Sequence, residues 1–502
     1  MRCRRSRKSQ RANLAYRISR KYKRIATDSQ LWKAQYYNRF VRPRALRIPG
    51  IRSVNDPATT SSHLHFSSKV SKWLDEENLV RQGTETNWKL QYRLRHNWSQ
   101  GACRLNEIEI AESPPVPPSL ARLHDGVAYT ADATSGLRAW SVKGKRQLLA
   151  ETTFGIGSAP PTSLALDPHS KGAHHPHIVV GFQDGAFQIY QLASKSDHFD
   201  KVYTHVASTN GTVASVAFSF PYLLTMTDDQ LLSVYRFPDS VSSHGLEALD
   251  HPQLLQSLRS HTVSQPISLS VRPTISGLTA SVAYAVPAWF MSSWSVGLQE
   301  MRLTSDGQLV DARIATAPTR KFSLPIFHEP TSLSYSHPYL LASHEDNTLT
   351  LYVVTSDNDK LSISAGRRLW GHTSAISAAH IGGRGKAVSV SSRGGEMRIW
   401  ELEGTHKTPK SQKVGPYASL SVLVRPSKDD SSDDSFEQQS AFGVAGVAEA
   451  IRKRGDGLGL ALADGLNDIT VDNELVGFDE ENVVVLSQRE GGSQALVVYD
   501  FT

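Results

Sequence analysis

Several features common in secreted proteins and in membrane proteins are scarce in this chain of 502 residues. It has two cysteines, Cys3 and Cys103. They lie far apart in the sequence, which predicts a reducing compartment rather than a disulfide framework. No apolar run approaches the length of about 18 residues that a membrane-spanning helix needs. The opening segment, MRCRRSRKSQRA, lacks the apolar core of a secretory signal.

Sequence patterns of catalysis are also missing. The chain contains no P-loop, no nucleophile elbow and no zinc-ligand spacing. Three histidines cluster at His174, His175 and His177, but Pro176 interrupts them and no fourth ligand is near, so they are expected to be loop residues. The sequence therefore predicts a non-catalytic protein with no metal and no cofactor.

The excess of positive over negative charge is confined to the start of the chain. Residues 1–50 contain 16 lysines and arginines and one acidic residue, whereas the whole chain has a net charge of +7. The remaining residues therefore sum to −8. A basic segment of this kind can contact nucleic acid or direct nuclear import, and an arginine-rich start without acids is also compatible with a mitochondrial presequence.

A third interpretation of this segment is a protein-binding helical module. Apolar side chains follow one helical face at Leu14, Ile18, Tyr22 and Ile25. Residues 26–29, ATDS, then supply a break with N-cap candidates, and a second helix is expected over residues 30–40.

The clearest signal in the chain is residues 366–402, GRRLWGHTSAISAAHIGGRGKAVSVSSRGGEMRIWEL. Three short β-type runs are separated by glycine-rich turns, with Gly371-His372 near the start and Trp400 near the end. This arrangement resembles one WD repeat, that is, one blade of a β-propeller. One blade cannot bury both of its faces, so it implies neighbours arranged in a ring.

Similar blade endings recur along the chain, each a turn followed by an apolar strand with an aromatic residue. They lie at 134–140, 184–190, 229–235, 346–352, 394–400 and 494–499, with a looser candidate at 294–303. The spacing predicts a mainly β chain that forms a propeller of about seven blades, including one degenerate blade at about 254–303. An all-β sandwich with a chance repeat match is the alternative.

The N-terminal module resembles the second half of an F-box. The segment ISRKYKRIATDSQLW, residues 18–32, follows the family pattern through Ile18, Tyr22 and the Leu31-Trp32 pair. Residues 88–110 and 478–502 also resemble the connector and the final strands of a fungal group of F-box/WD-repeat proteins. The predicted domains are a partial F-box at 1–45, a connector at 46–102 and a propeller at 103–502 with a partly disordered acidic insert at about 403–475.

This resemblance implies a substrate-recognition subunit of an SCF-type ubiquitin ligase, in the cytoplasm or nucleus, with a Skp-type adaptor and a cullin as partners. The expected adaptor-binding residues are Leu14, Ile18, Tyr22, Leu31 and Trp32. Arg384, Lys386 and Arg138 are the candidates for binding a protein target, either phosphorylated or unmodified. His372, Ser391 and Trp400 are expected to form the structural hydrogen-bond network of the repeat. A WD-repeat scaffold whose basic arm contacts nucleic acid is the alternative function.

The order of the strands also predicts how the ring closes. Residues 103–110 alternate in polarity like a strand, and they precede the first blade. Pairing of this segment with strand 495–501 would complete the last blade and leave no open seam in the ring.

Overall fold

The computed structural model describes residues 28–41, 87–144, 146–155, 157–167, 176–193, 198–238, 249–259, 263–274, 277–288, 293–318, 328–357, 360–382, 385–392, 396–402, 421–427, 469–470, 475–489 and 493–502. The chain divides by its contacts into two units, residues 1–102 with 501–502, and residues 103–500. Within the described ranges, none of the helices combines the length and the hydropathy needed to cross a bilayer.

The first unit contains two described helices. Helix α1 (Ser29–Tyr36) begins after Asp28, whose carboxylate accepts a hydrogen bond from the backbone N–H of Gln30 at 2.9 Å. A π-helical turn, Tyr37–Val41, continues it. Helix α2 (Trp88–Gln100) starts at the N-cap Asn87 and ends at Gly101, which has φ = 68°. The helix predicted over 30–40 is therefore confirmed, with a π-helical end.

The second unit is built from antiparallel sheets, which are numbered here as blades 1 to 7. Strand β1 (Ala102–Ala111) comes first in the chain but belongs to blade 7. Blade 1 comprises β2 (Leu120–His124), β3 (Val127–Asp132), β4 (Gly136–Ser141) and β5 (Leu148–Thr152). Blade 2 comprises β6 (Pro161–Leu166), β7 (His177–Phe182), β8 (Phe187–Leu192) and β9 (Phe199–His205). Blade 3 comprises β10 (Val213–Ser219), β11 (Tyr222–Thr227), β12 (Leu231–Arg236) and β13 (Gln253–Arg259).

Blade 4 has the longest strands. It comprises β14 (Ser264–Thr274), β15 (Gly277–Ala288), β16 (Ser293–Thr304) and β17 (Leu309–Thr316). Blade 5 comprises β18 (Ser332–Ser336), β19 (Tyr339–Ser343), β20 (Thr348–Ser356), β21 (Leu361–Ile363) and β22 (Arg367–Trp370). The degenerate blade expected at 254–303 thus needs new limits, because residues 253–259 pair with β12 and complete blade 3.

Blades 6 and 7 complete the set. Blade 6 comprises β23 (Ile376–Ile381), β24 (Lys386–Ser391), β25 (Met397–Glu401) and β26 (Ser421–Leu423). Blade 7 comprises β27 (Arg425–Ser427), β1, β28 (Ile469–Thr470), β29 (Leu475–Phe478), β30 (Asn482–Arg489) and β31 (Gln494–Asp500). Strands β26, β27 and β28 lie in the range expected to be a partly disordered insert, so these three segments are its ordered part. The acidic serine run at 428–435 lies outside the described residues.

The described sheets follow one another as the blades of a seven-bladed β-propeller. Their innermost strands contact one another in the closed order β2, β6, β10, β14, β18, β23, β29 and back to β2. Serine hydroxyls reinforce this inner ring: Ser332 Oγ accepts a hydrogen bond from Ala379 N at 3.3 Å, and Ser334 Oγ accepts one from Ile381 N at 3.0 Å. Small hydroxyl side chains suit this place, because neighbouring strands converge towards the axis of the ring.

The predicted ring closure is confirmed. Strand β1 pairs antiparallel with β31 in a register that runs from Arg104 opposite Asp500 to Ala111 opposite Gln494. The first strand of the unit therefore supplies the fourth strand of the last blade. Such closure joins the two ends of the propeller by backbone hydrogen bonds and leaves no open seam between blades 1 and 7.

Candidate functional site

Blade 6 contains the polar network that its sequence indicated. His372 Nε2 lies 2.6 Å from Ser389 Oγ, and Trp400 Nε1 donates a hydrogen bond to the same oxygen at 2.7 Å. All three side chains are buried. An indole nitrogen can only donate, so Ser389 keeps its own proton for His372 Nε2. One hydroxyl thereby fixes both aromatic rings.

The predicted serine of this network needs correction. Ser389, not Ser391, binds His372 and Trp400, while Ser391 Oγ accepts a hydrogen bond from Glu396 N at 3.1 Å. The two serines are two residues apart and lie on the same face of β24, so the sequence pattern alone does not show which of them binds His372. The strand register does, because Trp400 lies opposite Ala387 and its indole reaches the hydroxyl two residues further along β24.

A carboxylate completes the network from an unexpected position. Glu396 Oε2 lies 3.5 Å from His372 Nδ1 and accepts hydrogen bonds from Thr373 N at 2.8 Å and Thr373 Oγ1 at 3.0 Å. Its other oxygen accepts one from Arg398 Nε at 2.7 Å. Burial lowers the pKa of His372 although the charge of Glu396 opposes this. Burial raises the pKa of Glu396, but the Thr373 and Arg398 hydrogen bonds outweigh it and lower that pKa overall.

Blade 1 repeats part of this arrangement. Trp140 lies opposite Ala128, and its Nε1 donates to Thr130 Oγ1 at 3.0 Å, again two residues further along the second strand. Two blades therefore bind a tryptophan to a buried hydroxyl in the same register. The correspondence marks a structural device shared by the two blades.

Arg138 does not lie where a target-binding residue would. Its side chain is buried, its Nη2 is 2.9 Å from Asp132 Oδ2, and its Nη1 donates to the carbonyl oxygen of Ile110 at 2.7 Å. Ile110 belongs to β1, so Arg138 joins blade 1 to the strand that closes the ring. The expectation that Arg138 contacts a target is corrected to a structural role at the closure.

The other two target-binding candidates lie at the loop between β23 and β24. Lys386 is half-buried at the start of β24, opposite Glu401, and Arg384 lies outside the described residues. In an antiparallel blade, this loop and the turn between the second and third strands lie at opposite ends. Lys386 is therefore at the end of the propeller away from His372 and Glu396.

An exposed aromatic residue lies at the end of the propeller where the turns join the second and third strands, which is also the end with His372 and Glu396. Trp370, the last residue of β22, is 63% exposed. Arg368, two residues earlier, places its guanidinium 5.9 Å from the centre of the indole and 3.1 Å from Asp346. An exposed tryptophan beside an arginine has the composition of a hot spot in protein interfaces.

The turns at the same end are acidic. Among the described residues of the turns between second and third strands, the exposed charged residues are Asp184, Asp228, Asp229, Glu345 and Asp346, and no lysine or arginine occurs. Arg259 approaches Asp229 at 4.0 Å from a neighbouring strand. The exposed charge in the described part of these turns is therefore negative.

The helical unit is held by aromatic packing. Trp32 and Tyr36 of α1 pack against Trp88 and Tyr92 of α2, with 5.3 Å between the ring centres of Trp32 and Tyr92. Arg39 Nη1 donates to Tyr92 Oη at 2.6 Å, and its Nη2 lies 3.0 Å from His96 Nδ1. Burial and the Arg39 charge lower the pKa of His96, so the ring is neutral and can accept this hydrogen bond.

These contacts change the expected adaptor surface. Trp32 is 3% exposed and its indole lies inside the helical unit, so the expectation that it faces the adaptor is corrected. Leu31 is half-buried at the edge of the same cluster. Leu14, Ile18 and Tyr22, the remaining predicted contacts, lie outside the described residues.

One cluster was not foreseen from the sequence. Glu300 on β16 is fully buried, with Oε1 2.7 Å from Arg272 Nη2 and Oε2 2.9 Å from Arg313 Nη2. Ser356 of blade 5 donates a further hydrogen bond to Oε2. The only sequence signal is a glutamate in a strand of mixed polarity, where a charged side chain ordinarily predicts an exposed position.

The comparisons with known proteins agree with this architecture. The family model described as F-box protein pof12 beta-propeller matches residues 103–502. F-box protein pof12 of Schizosaccharomyces pombe is 29% identical over 114 residues, which cover 22% of this chain and 25% of that relative. The chain thus matches about a quarter of the relative's length.

A solved structure was also found, the crystal structure of the WD40 beta propeller domain of Doa1. It has a TM-score of 0.37 and 12% identity, and covers 79% of this chain and 95% of that chain. The propeller fold rests on the seven sheets and their closed order. Because the family model spans most of the chain, the protein belongs to the family of F-box protein pof12 β-propellers.

Proposed function

We propose that this protein is the non-catalytic substrate-recognition subunit of an SCF-type ubiquitin ligase, which joins a Skp-type adaptor to a protein target. The observation that carries the proposal is membership of a family named for an F-box protein, in a chain whose residues 18–32 resemble the second half of an F-box. Helix α1 supports it, because Asp28 caps this helix within the segment that resembles an F-box.

Such a protein acts by proximity. Binding the adaptor through one unit and the target through the other raises the effective concentration of the target near a ubiquitin-charged partner. In the described part of the chain, no group of three or more His, Cys, Asp or Glu side chains is placed to hold a metal ion. The proposed partners are the adaptor, a cullin and a protein target, in the cytoplasm or the nucleus.

Two surfaces compete for the target. The end with Trp370 offers an exposed indole among carboxylates, which fits a target segment that carries lysine or arginine. The loop with Arg384 and Lys386 instead offers cations, which fit a phosphorylated or acidic segment. We propose the Trp370 end, because Trp370 and the acidic turn residues are exposed there, whereas Lys386 is half-buried.

The function is tested by purifying the tagged full chain from cells and identifying what accompanies it. The proposal expects a Skp adaptor and a cullin with the wild type, and neither with a variant carrying Leu14→Glu, Ile18→Glu and Tyr22→Glu. A variant with Gln30→Glu, an exposed position of α1, is the matched control and should retain both partners. Recovery of RNA or histones without the adaptor would favour the nucleic-acid scaffold and contradict the proposal.

The target surface is tested in the same experiment with a Trp370→Ala variant. We expect target proteins to be lost while the adaptor is retained, because Trp370 is exposed and its removal leaves no cavity. Lys386→Ala serves as the comparison at the opposite end of the propeller. Loss of targets with Lys386→Ala but not with Trp370→Ala would move the binding surface to the β23–β24 loop.

A further inference from the structure

The outermost strand of blade 4 is unusual in what it exposes. Strand β17 pairs with β16 on one side and is the edge of its sheet. Its outward-facing residues are Val310, Ala312, Ile314 and Thr316. Val310 is 61% exposed and Ile314 is 63% exposed, and Leu309 at the start of the strand is partly exposed as well. The exposed face of this eight-residue edge strand is therefore uncharged and mostly apolar.

Other outer strands carry charges at the corresponding exposed positions. Their exposed residues include Glu151 on β5, Lys201 on β9, Arg259 on β13 and Arg367 on β22. Charged side chains on an edge strand discourage pairing with another chain. Among the described outer strands of four or more residues, β17 lacks this protection along its exposed face, so its edge is suited to pair with a further strand.

The turn before β17 packs on blade 3: Gln256 Nε2 donates to Gly307 O at 3.5 Å, and a side chain added at Gly307 would strike Leu255. This contact holds the start of the strand in place. The exposed apolar side chains of β17 form a patch, the β17 patch, composed of Leu309, Val310 and Ile314.

We propose that β17 pairs antiparallel with β17 of a second copy of this chain, about a two-fold axis at Ala312. The strand sequence LVDARIAT is self-complementary around that residue. Val310 would lie opposite Ile314 of the second copy on the exposed face. Asp311 would lie opposite Arg313 of the second copy on the other face, so apolar residues meet apolar ones and opposite charges meet.

This self-complementarity is what selects a second copy as the occupant. A two-fold interface requires one surface patch to match itself, and cross-strand pairs of branched apolar residues and of opposite charges stabilise antiparallel strands. Asp311 and Arg313 already pair with each other within one chain, at 3.1 Å, and are held further by Arg302 at 3.0 Å from Asp311 and by Glu300 at 2.9 Å from Arg313. The strand is thus ordered before it pairs.

The first test is the molar mass of the purified full chain by sedimentation equilibrium over a range of concentrations. We expect a concentration-dependent dimer for the wild type and a monomer for Val310→Lys/Ile314→Lys. The matched control, Leu148→Lys/Val206→Lys, changes two exposed apolar residues elsewhere and should still dimerise. A wild type that stays monomeric at all concentrations, or a dimer that the β17 substitutions do not affect, would overturn the proposal.

The second test fixes the register by cross-linking in a Cys3→Ser background, where Cys103 is buried. Residues opposite each other in antiparallel strands lie about 4.5–5.5 Å apart at Cα, within disulfide range. Ala312→Cys should therefore cross-link to its own copy under mild oxidation. Val310→Cys should cross-link when mixed with Ile314→Cys, but not when alone. Absence of the Ala312→Cys product in a dimer would contradict pairing at β17.

Discussion

Blades 4 and 6 are stabilised in different ways although both are four-stranded sheets in the same ring. Blade 6 has short strands and a network of neutral and charged side chains around His372, Ser389 and Trp400, most of it within about 30 residues of sequence. Blade 4 has strands of up to 12 residues and a buried glutamate that contacts arginines on its innermost and outermost strands. The ring fold thus accepts either a local network or a cross-strand ionic cluster.

The largest difference between the two blades should appear when Glu300 loses its charge. Glu300→Gln leaves Arg272, which is partly exposed, without this carboxylate and leaves Arg313 with Asp311 alone at 3.1 Å; removing one partner of a buried pair costs up to about 3–5 kcal/mol. The free energy of unfolding, measured by denaturant titration, should fall by that amount. Asp311→Asn removes the partly exposed carboxylate of the same cluster, which also pairs with Arg313, and should lower the free energy of unfolding by less. A near-neutral Glu300→Gln would show that the cluster does not stabilise blade 4.

Blade 6 should respond less strongly to the loss of its central hydroxyl. Ser389→Ala removes the acceptor of Trp400 Nε1 and the partner of His372 Nε2, and unpaired buried groups cost about 1–3 kcal/mol. Denaturant titration again gives the measurement. Ser392→Ala, in the half-exposed turn after β24, should leave stability unchanged. Equal stability of Ser389→Ala and the wild type would contradict the role given to this serine.

The smallest expected effect is a change in how stability depends on pH. Because burial lowers the pKa of His372 in the folded protein, the unfolded chain binds its proton at a higher pH. The free energy of unfolding therefore falls as the pH falls below about 6.5, the ordinary value for histidine. His372→Gln should be less stable than the wild type at pH 7. Its free energy of unfolding should also change less as the pH falls below 7. If the free energy of unfolding depended on pH in the same way in the two proteins, His372 would not contribute to the pH dependence of stability.

Blade 6 could be predicted from the sequence because its characteristic residues lie close together in the chain. Gly371-His372, the glycine turns and Trp400 all lie within one repeat, and each follows from turn or strand chemistry. The closing pair of β1 and β31 was also predictable, since an alternating segment before the first blade needs a partner. The choice between Ser389 and Ser391 was not, because two residues on one strand face differ only through the register with β25.

Blade 4 shows where sequence patterns fail. Its limits were misplaced because its third strand has no aromatic residue at the usual final position, and β13 was counted into it. Burial of Glu300 depends on two arginines that are 28 and 13 residues away in the sequence and on other strands. Trp32 and Arg138 were assigned to surfaces for a related reason, since burial is set by contacts with distant segments.

The most direct test of the account is binding between the recombinant full chain and a Skp adaptor, measured by titration calorimetry. The proposed function expects a one-to-one complex with the wild type and no binding with Leu14→Glu/Ile18→Glu, while the circular dichroism of the propeller stays the same in both. A correctly folded wild-type chain that does not bind the adaptor would contradict its role as a ubiquitin-ligase receptor.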